Sequence, residues 1–373
     1  MPSTPTPTPK PRRKLPPPTP LVIGTRLGRY ELRSVLGIGA FSIVYRAIEP
    51  ESDLEFALRE YLPGSLAQRA ADGSVVPRSA ADAEVFEHGL RFFVNEAKLL
   101  LQIDHPNLVK VHEIWQERGT AFLAMDLYTG RDLQDTMSTR WRTPREPGLR
   151  NILAALLGPI DALHKGGLQH RDISPQTIMV EPDGRLVLMD LGAARRVTSA
   201  LGETGPTGPR DGFAPVELYG NRAAKGEAKA LEKGPWTDFY ALGATLFYMM
   251  TGRPPPPAPE RARAGDRVAL SLYRSDKRYS LELLALLDWM LAVPPAARPQ
   301  SVAELHRALK GEHGEGLPPA LKPNRALRWR LKARRFKPLA WLLGIALLLA
   351  VAVLAVRWGL KLPIVQDWLL RWS

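Results

Sequence analysis

The chain of 373 residues contains no cysteine. Disulfide scaffolds, thiolate zinc sites and thiol nucleophiles are therefore excluded, and nothing marks an oxidising compartment. Acidic residues are missing from the two most basic segments: residues 1–20 carry four basic side chains and no acid, and residues 322–337 carry eight and no acid. The N-terminal segment also lacks an apolar run, so it does not read as a secretory signal. The net charge of +13 is consequently concentrated in the flanks. With +2 in residues 357–373, the body from 21 to 321 is left at −1. A nearly neutral body argues against a nucleic-acid-binding domain.

Two flanking segments stand out. Residues 1–20, MPSTPTPTPKPRRKLPPPTP, have almost nothing to bury and read as an extended tail with polyproline II character. Residues 338–356 form an uncharged apolar stretch between Lys337 and Arg357. As a helix at about 1.5 Å per residue it spans roughly 28 Å, close to a bilayer core. Eight basic residues precede it and three follow, which places the preceding residues on the cytoplasmic side.

The body between these flanks reads as two lobes. Residues 29–60 and 106–128 hold short alternating runs, such as FSIVYRAI and TAFLAMDL, that predict antiparallel strands. Val85–Ile103 has helical apolar spacing, and long helical patterns dominate after residue 130. The fold class is α+β.

Motifs recur in order through this body. LGIGAFSIVYRA, residues 36–47, places Gly37 and Gly39 where a backbone turn can approach phosphate oxygens, followed by Val44. FALRE brings Ala57 and Arg59, and FVNEAK brings Glu96. Met125, Asp126 and Tyr128 follow, then HRDISPQTIMV with Asp172, Thr177 and Met179, and MDLGAAR with Asp190. APVE with Glu217, WTDFY with Asp238 and ARPQS with Arg298 close the series. The set resembles the bacterial Hanks-type serine/threonine protein kinases over about residues 29–310.

That resemblance implies a bilobal protein-kinase fold with a β-rich N-lobe and an α-rich C-lobe, plus one C-terminal transmembrane helix. It implies ATP and Mg²⁺ as cofactors and proteins as substrates or partners. Val44, Ala57 and Met179 would enclose adenine, with Met125, Asp126 and Tyr128 as gatekeeper and hinge. Asp190 would hold Mg²⁺, and Asp172 would be the candidate base. Glu217 would pair with Arg298.

The sequence departs from that pattern at central positions. Arg59 stands where the family has lysine, and Thr177 where it has the metal-binding asparagine. Ser174 replaces a lysine and Ser42 the third glycine of the loop. Arginine is not a conservative exchange for a phosphate-binding lysine. Thr177 can offer a hydroxyl to Mg²⁺ but has a shorter reach. Arg59 is expected to pair with Glu96. Three readings follow: a membrane-anchored pseudokinase or very weak kinase that binds nucleotide, an active kinase with atypical ligands, and a scaffold with a closed site.

The chain divides into a disordered Pro-rich tail (1–26), a kinase-like domain (27–311), a basic juxtamembrane linker (312–337), a transmembrane helix (338–356) and a short extracytoplasmic tail (357–373). The expected location is the bacterial inner (cytoplasmic) membrane, single-pass, with the kinase-like domain cytoplasmic and the C-terminus outside. Segment 322–337 is expected to lie on anionic lipid, each basic residue contributing about 1 kcal/mol. A chain ending at residue 337 should therefore bind anionic vesicles more tightly than neutral ones in a sedimentation assay. Equal binding would reduce these charges to a topology signal.

Overall fold

The computed structural model describes residues 17–139, 143–190, 209–219, 231–264 and 278–311. The expected membrane span, its basic flank and the tail beyond it lie outside the described residues, as does the whole of the second compact unit, Pro319–Ser373. Among the described residues no helix is long and apolar enough to cross a membrane.

The N-lobe is an antiparallel sheet. Its strands are β1 (Arg26–Leu27), β2 (Tyr30–Ile38), β3 (Ser42–Glu49), β4 (Leu54–Tyr61), β7 (Val111–Glu117) and β8 (Thr120–Asp126), ordered β1-β2-β3-β4-β8-β7. Side chains alternate between faces along each strand. The register sets Val44 opposite Arg59 and Ala57 opposite Met125, so these four residues share one face. Tyr45, Leu58, Glu60 and Phe122 share the other, and all four are buried.

A helix, α1 (Ala80–Leu100), lies against this sheet. It buries Phe86, Leu90, Phe93, Val94, Ala97 and Leu100, an apolar stripe at helical spacing. The helix starts before the apolar run because Ser79 caps it, its side chain accepting from the Asp82 amide. Between β4 and α1 the chain inserts a hairpin, β5 (Ala67–Arg69) and β6 (Val75–Pro77). From it Arg69 reaches the fully buried Glu60 at 2.6 Å and the Thr19 carbonyl at 2.7 Å. Tyr45 donates its hydroxyl to the same carboxylate at 2.8 Å and accepts from the Leu21 amide at 2.9 Å. The part of the Pro-rich segment from residue 17 onward is therefore held on the lobe, with Leu21 buried, ahead of the boundary at residue 26 that the composition alone suggests.

The C-lobe is helical. Leu149, Leu153, Leu156, Leu157, Ile160 and Leu163 form the buried stripe of α3 (Glu146–Lys165), which follows the short β9 (Arg131–Asp132) and α2 (Leu133–Thr139). A small sheet, β11 (Leu186–Leu188), β10 (Ile178–Val180) and β9, edges the cleft. The helix α4 (Pro235–Thr251) is buried almost all round, as its near-continuous apolar sequence requires. It ends at Gly252, whose positive φ suits glycine as a C-cap. α5 (Ala258–Ala264), α6 (Leu281–Met290) and α7 (Val302–Leu309) complete the described lobe.

Two buried charge centres fix this lobe. The Arg298 guanidinium pairs with Glu217 at 2.7 and 3.0 Å, both side chains being fully buried. Thr237 donates to the same carboxylate, and Arg298 also donates to the carbonyls of Ala292, Val293 and Trp236. Asp238 accepts from the amides of His170 (2.9 Å) and Arg171 (2.7 Å) and from His164 Nε2 (2.8 Å). Burial pushes the Asp238 carboxyl up, but the His164 bond and charge, His170 and the Arg171 amide outweigh it and hold the group below its usual range. Burial pushes the His170 imidazole down from 6.5.

Both centres make predictions for stability. Arg298→Ala leaves a buried carboxylate uncompensated and should cost about 3–5 kcal/mol, read as a lowered thermal midpoint; replacing both partners by apolar residues should cost less. His170 is neutral when folded, so the unfolded chain binds the extra proton as pH falls through 6.5. Stability should therefore decline below that pH, and His170→Asn should flatten the decline.

Candidate active site

The catalytic loop is built on Asp238. Its carboxylate takes the Arg171 amide and holds that residue at a positive φ, a left-handed conformation costly for a non-glycine residue. Asp172 follows directly. His170 then ties the loop to the next segment. Its Nε2 donates to the Met189 carbonyl at 2.7 Å, and its Nδ1 accepts from the Asp172 amide at 3.3 Å. One neutral imidazole thus links the residue before Asp190 to the backbone of Asp172. Asp190 is itself left-handed.

Thr177 is turned into the loop. It is buried, and its hydroxyl lies 2.9 Å from the Asp172 carbonyl and 3.1 Å from that of Ser174, while accepting from the Ser174 amide at 3.0 Å. A hydroxyl has one proton and two lone pairs, so these backbone contacts use most of its capacity. Thr177 braces Asp172 from within the loop, which leaves little of it for the metal contact the sequence suggested.

Arg59 differs from expectation more sharply. Among the described residues its ion pair runs to Asp190, Nη1 to Oδ1 at 2.8 Å, where Glu96 was the expected partner. Its Nε donates to the Ser42 hydroxyl at 3.2 Å. The cause lies in the side chain's shape. The register puts Arg59 beside Val44 and two residues from Ser42 across the β3–β4 ladder. The serine holds the near edge of the planar fork, and the far edge then reaches across the cleft. A lysine ammonium, a single point, could not serve two such separated partners. Glu96 remains on α1, half-buried.

The residues expected to face nucleotide are brought together in part. Val44, Ala57 and Met125 share the sheet face of Arg59, with Ala57 and Met125 buried. Met179 comes from β10 across the cleft. The turn between β2 and β3 is closed by the Gly39 amide on the Ser42 carbonyl at 2.8 Å, and a Cβ on Gly39 would come within 3.3 Å of that oxygen. Gly37 pairs with Val44, with open space around it. The expected hinge is held by β7 and the residue before it: Asp126 lies 2.6 Å from His112, and the Tyr128 hydroxyl accepts from the Lys110 amide at 3.0 Å.

These groups fit one Mg²⁺ held with nucleotide. Magnesium is commonly bound by one or two carboxylates together with substrate phosphates. Asp190 is half exposed and would supply one such carboxylate. Among the described residues no cluster of three or more metal-ligating side chains stands ready without the phosphates.

Sequence reasoning missed three participants. His164 shares Asp238 with the catalytic loop, Ser42 seats Arg59, and Arg210 lies on Asp172, Nε to Oδ1 at 3.3 Å and Nη2 to Oδ2 at 3.2 Å. The position of Ser42 two residues before Val44, on the strand facing Arg59, was the available signal for the second. For Arg210 there was none.

Comparison with known proteins agrees with this geometry. The protein kinase domain family matches residues 30–309. The apo form of PpkA-294 is 34% identical, with 78% of this chain and 99% of that one covered and a TM-score of 0.69. The PknI kinase domain of Mycobacterium tuberculosis is 25% identical over 79% of this chain and 100% of that one, with a TM-score of 0.57. The serine/threonine-protein kinase PrkC of Bacillus subtilis is 28% identical over 236 residues, 63% of this chain but 32% of PrkC. Sperm motility kinase 3A of Mus musculus matches at 28% over 57% of this chain and 40% of its own length. The chain thus spans less than half the length of these curated relatives. With its fold, its catalytic loop and its Glu217–Arg298 pair matching in order, the chain belongs to the Hanks-type serine/threonine protein kinase family.

Proposed function

We propose that the chain is a membrane-anchored, nucleotide-binding signalling protein of this family, a pseudokinase or very slow kinase, with its kinase domain on the cytoplasmic face of a bacterial inner membrane. The observation that carries the reading is the Arg59–Asp190 ion pair at 2.8 Å. The cation that should clamp the nucleotide phosphates and the carboxylate that should hold Mg²⁺ neutralise each other. Bound nucleotide has to exchange both partners, phosphates for Asp190 on Arg59 and metal for Arg59 on Asp190. Such an exchange permits binding at reduced affinity. The membrane half of the reading rests on the apolar stretch 338–356 and its basic flank.

Transfer needs positioned charge more than covalent chemistry. Within the chain, Asp172 would orient the substrate hydroxyl and accept its proton, and His170 and Thr177 would hold Asp172 in place. Mg²⁺, when bound with ATP, would supply charge neutralisation between the phosphates. Loss of one positioned charge in such a site costs about 10²–10³ in rate, and here Arg59 and Thr177 are changed together. The alternative, an active kinase with atypical ligands, is favoured by one observation: Thr177 already performs the bracing of Asp172.

The test is transfer from γ-labelled ATP by the purified chain, with Asp172→Asn as the blank. We expect turnover well below about 1 s⁻¹, the lower edge of the usual kinase range. Arg59→Lys combined with Thr177→Asn should raise it far more than either change alone, since these groups act on one transition state. Turnover at or above about 1 s⁻¹ in the unmodified chain would establish the alternative.

A further inference from the structure

The turn between β2 and β3, which carries Gly39, is pinned from outside its own hairpin. The Ala40 carbonyl accepts from the Gly64 amide at 3.0 Å, and the Phe41 carbonyl accepts from the Leu62 amide at 2.8 Å. Both donors lie just past the end of β4, and Phe41, Leu62 and Gly64 are buried. The Phe41 bond fixes the start of β3. The turn before it closes on itself through Gly39 and Ser42, and Gly64 ties it to the rest of the lobe. Gly64 is in turn held on its other sides. Its carbonyl accepts from Arg78 Nε at 2.8 Å. Its Cα face is covered by Pro18: a Cβ there would stand 2.9 Å from Pro18 Cγ and 3.2 Å from Cδ, and the nearest atoms all belong to that proline.

Pro18 belongs to a strap, residues 18–21, that is fastened at further points. The Thr19 carbonyl accepts from Arg69 Nε at 2.7 Å, the Leu21 amide donates to the Tyr45 hydroxyl at 2.9 Å, and the Leu21 side chain is buried. The sequence Pro-Thr-Pro-Leu suits such a strap. Prolines fix φ and hold the residues before them in extended backbone, so little freedom is lost on docking. Ala40 is exposed, so the burial of its bond to Gly64 comes from the Gly64 side, where Pro18 is the nearest cover. A backbone hydrogen bond contributes only about 0.5–1.5 kcal/mol net. Once Pro18 leaves, water competes for both partners, and the turn at residues 39 and 40 loses its tie to the lobe.

We infer that residues 18–21 are a positioning strap for the nucleotide site: docked on Gly64, the strap holds the glycine turn where the phosphates of a nucleotide meet it, and undocked it lets that turn swing away. This rests on the nucleotide-binding reading above. A pinned turn is already ordered when nucleotide arrives, which removes an ordering cost from binding. Affinity then scales with the fraction of molecules in which the bond from Gly64 to Ala40 is formed.

Amide exchange tests the coupling without nucleotide. The full chain in detergent is compared with its Pro18→Gly/Leu21→Ala variant by deuterium uptake, read by mass spectrometry. The Gly64 amide should be protected in the unmodified chain and exchange near the unstructured rate in the variant, while the amides of Leu58 and Ala124, in β4 and β8, stay slow in both. Mant-labelled ATP with Mg²⁺, followed by fluorescence, should bind the variant roughly tenfold less tightly, the pin then being formed in about one molecule in ten. Gly64→Ala should weaken binding by itself, because its Cβ displaces Pro18, and should add little in the Pro18→Gly background, where that atom has room. Unchanged Gly64 exchange in the double variant, equal or tighter nucleotide binding by it, or independent effects of Gly64→Ala and Pro18→Gly would each overturn the inference. Should either variant fail to fold, Pro18→Gly alone, a change at the half-buried end of the strap, decides by the same exchange measurement. Absence of nucleotide binding by the unmodified chain would overturn the nucleotide-binding reading alone, and exchange at Gly64 would still decide whether the strap holds the turn.

Discussion

The site depends on a carboxylate that is neither its candidate base nor its candidate metal ligand. Asp238 is fully buried at the base of the catalytic loop, where an uncompensated charge would be prohibitive. Two consecutive amides, from His170 and Arg171, and a ring nitrogen of His164 meet it. Those bonds force Arg171 into a left-handed backbone conformation, and that turn delivers Asp172 to the cleft. The same turn aims His170 at the Met189 carbonyl, so the placement of Asp190 is tied to the placement of Asp172. The backbone at Asp172 and at the residue before Asp190 is thus placed by Asp238 and His170, apart from any chemistry of the two carboxylates.

Exchanging lysine for arginine at position 59 changes the topology of the charges as well as their shape. The planar fork has separate edges. Ser42, at what would be the third glycine of the phosphate loop, takes one edge, and Asp190 takes the other. The two departures from the family pattern, Ser42 and Arg59, are therefore one local arrangement. A glycine at 42 would leave the Nε of Arg59 without this acceptor. Thr177 is similarly self-contained, spending its hydroxyl on the loop that carries it.

Much of this was legible in the sequence, for reasons that can be stated. Strand alternation set the cleft face of β3, β4 and β8, because the period of two leaves no choice once the glycine turn fixes the register. Glu217, Asp238 and Arg298 could be picked out because a buried charge demands a partner and the family pattern names it. The partner of Arg59 was not legible. Glu96 and Asp190 are both acidic and both belong near the cleft, and the choice between them turns on a few ångströms of side-chain reach. Arg210 was hidden for a different reason: it comes from a loop with no periodicity, and long-range packing, such as that of Gly212 against Pro254 and Pro255, helps to bring it to Asp172. The anchoring of Leu21 was also invisible, since its partner, the Tyr45 hydroxyl, is recruited by a buried Glu60–Arg69 pair that involves an inserted hairpin.

The two arginines give the cleft a property that neither shows alone. Each aspartate that the chemistry would use is already matched by a guanidinium, Asp190 by Arg59 and Asp172 by Arg210. The pairs are unequal. Asp190 is half exposed, so water screens its pair and holding it contributes little. Asp172 is mostly buried, so opening its pair removes a charge partner in a poorly solvated place and costs more. On the reading proposed above, Mg²⁺ and the phosphates of a nucleotide would displace the outer pair by offering each ion a stronger partner. The two pairs therefore differ in how readily a competing ion opens them, and burial makes the inner one the less forgiving of the two.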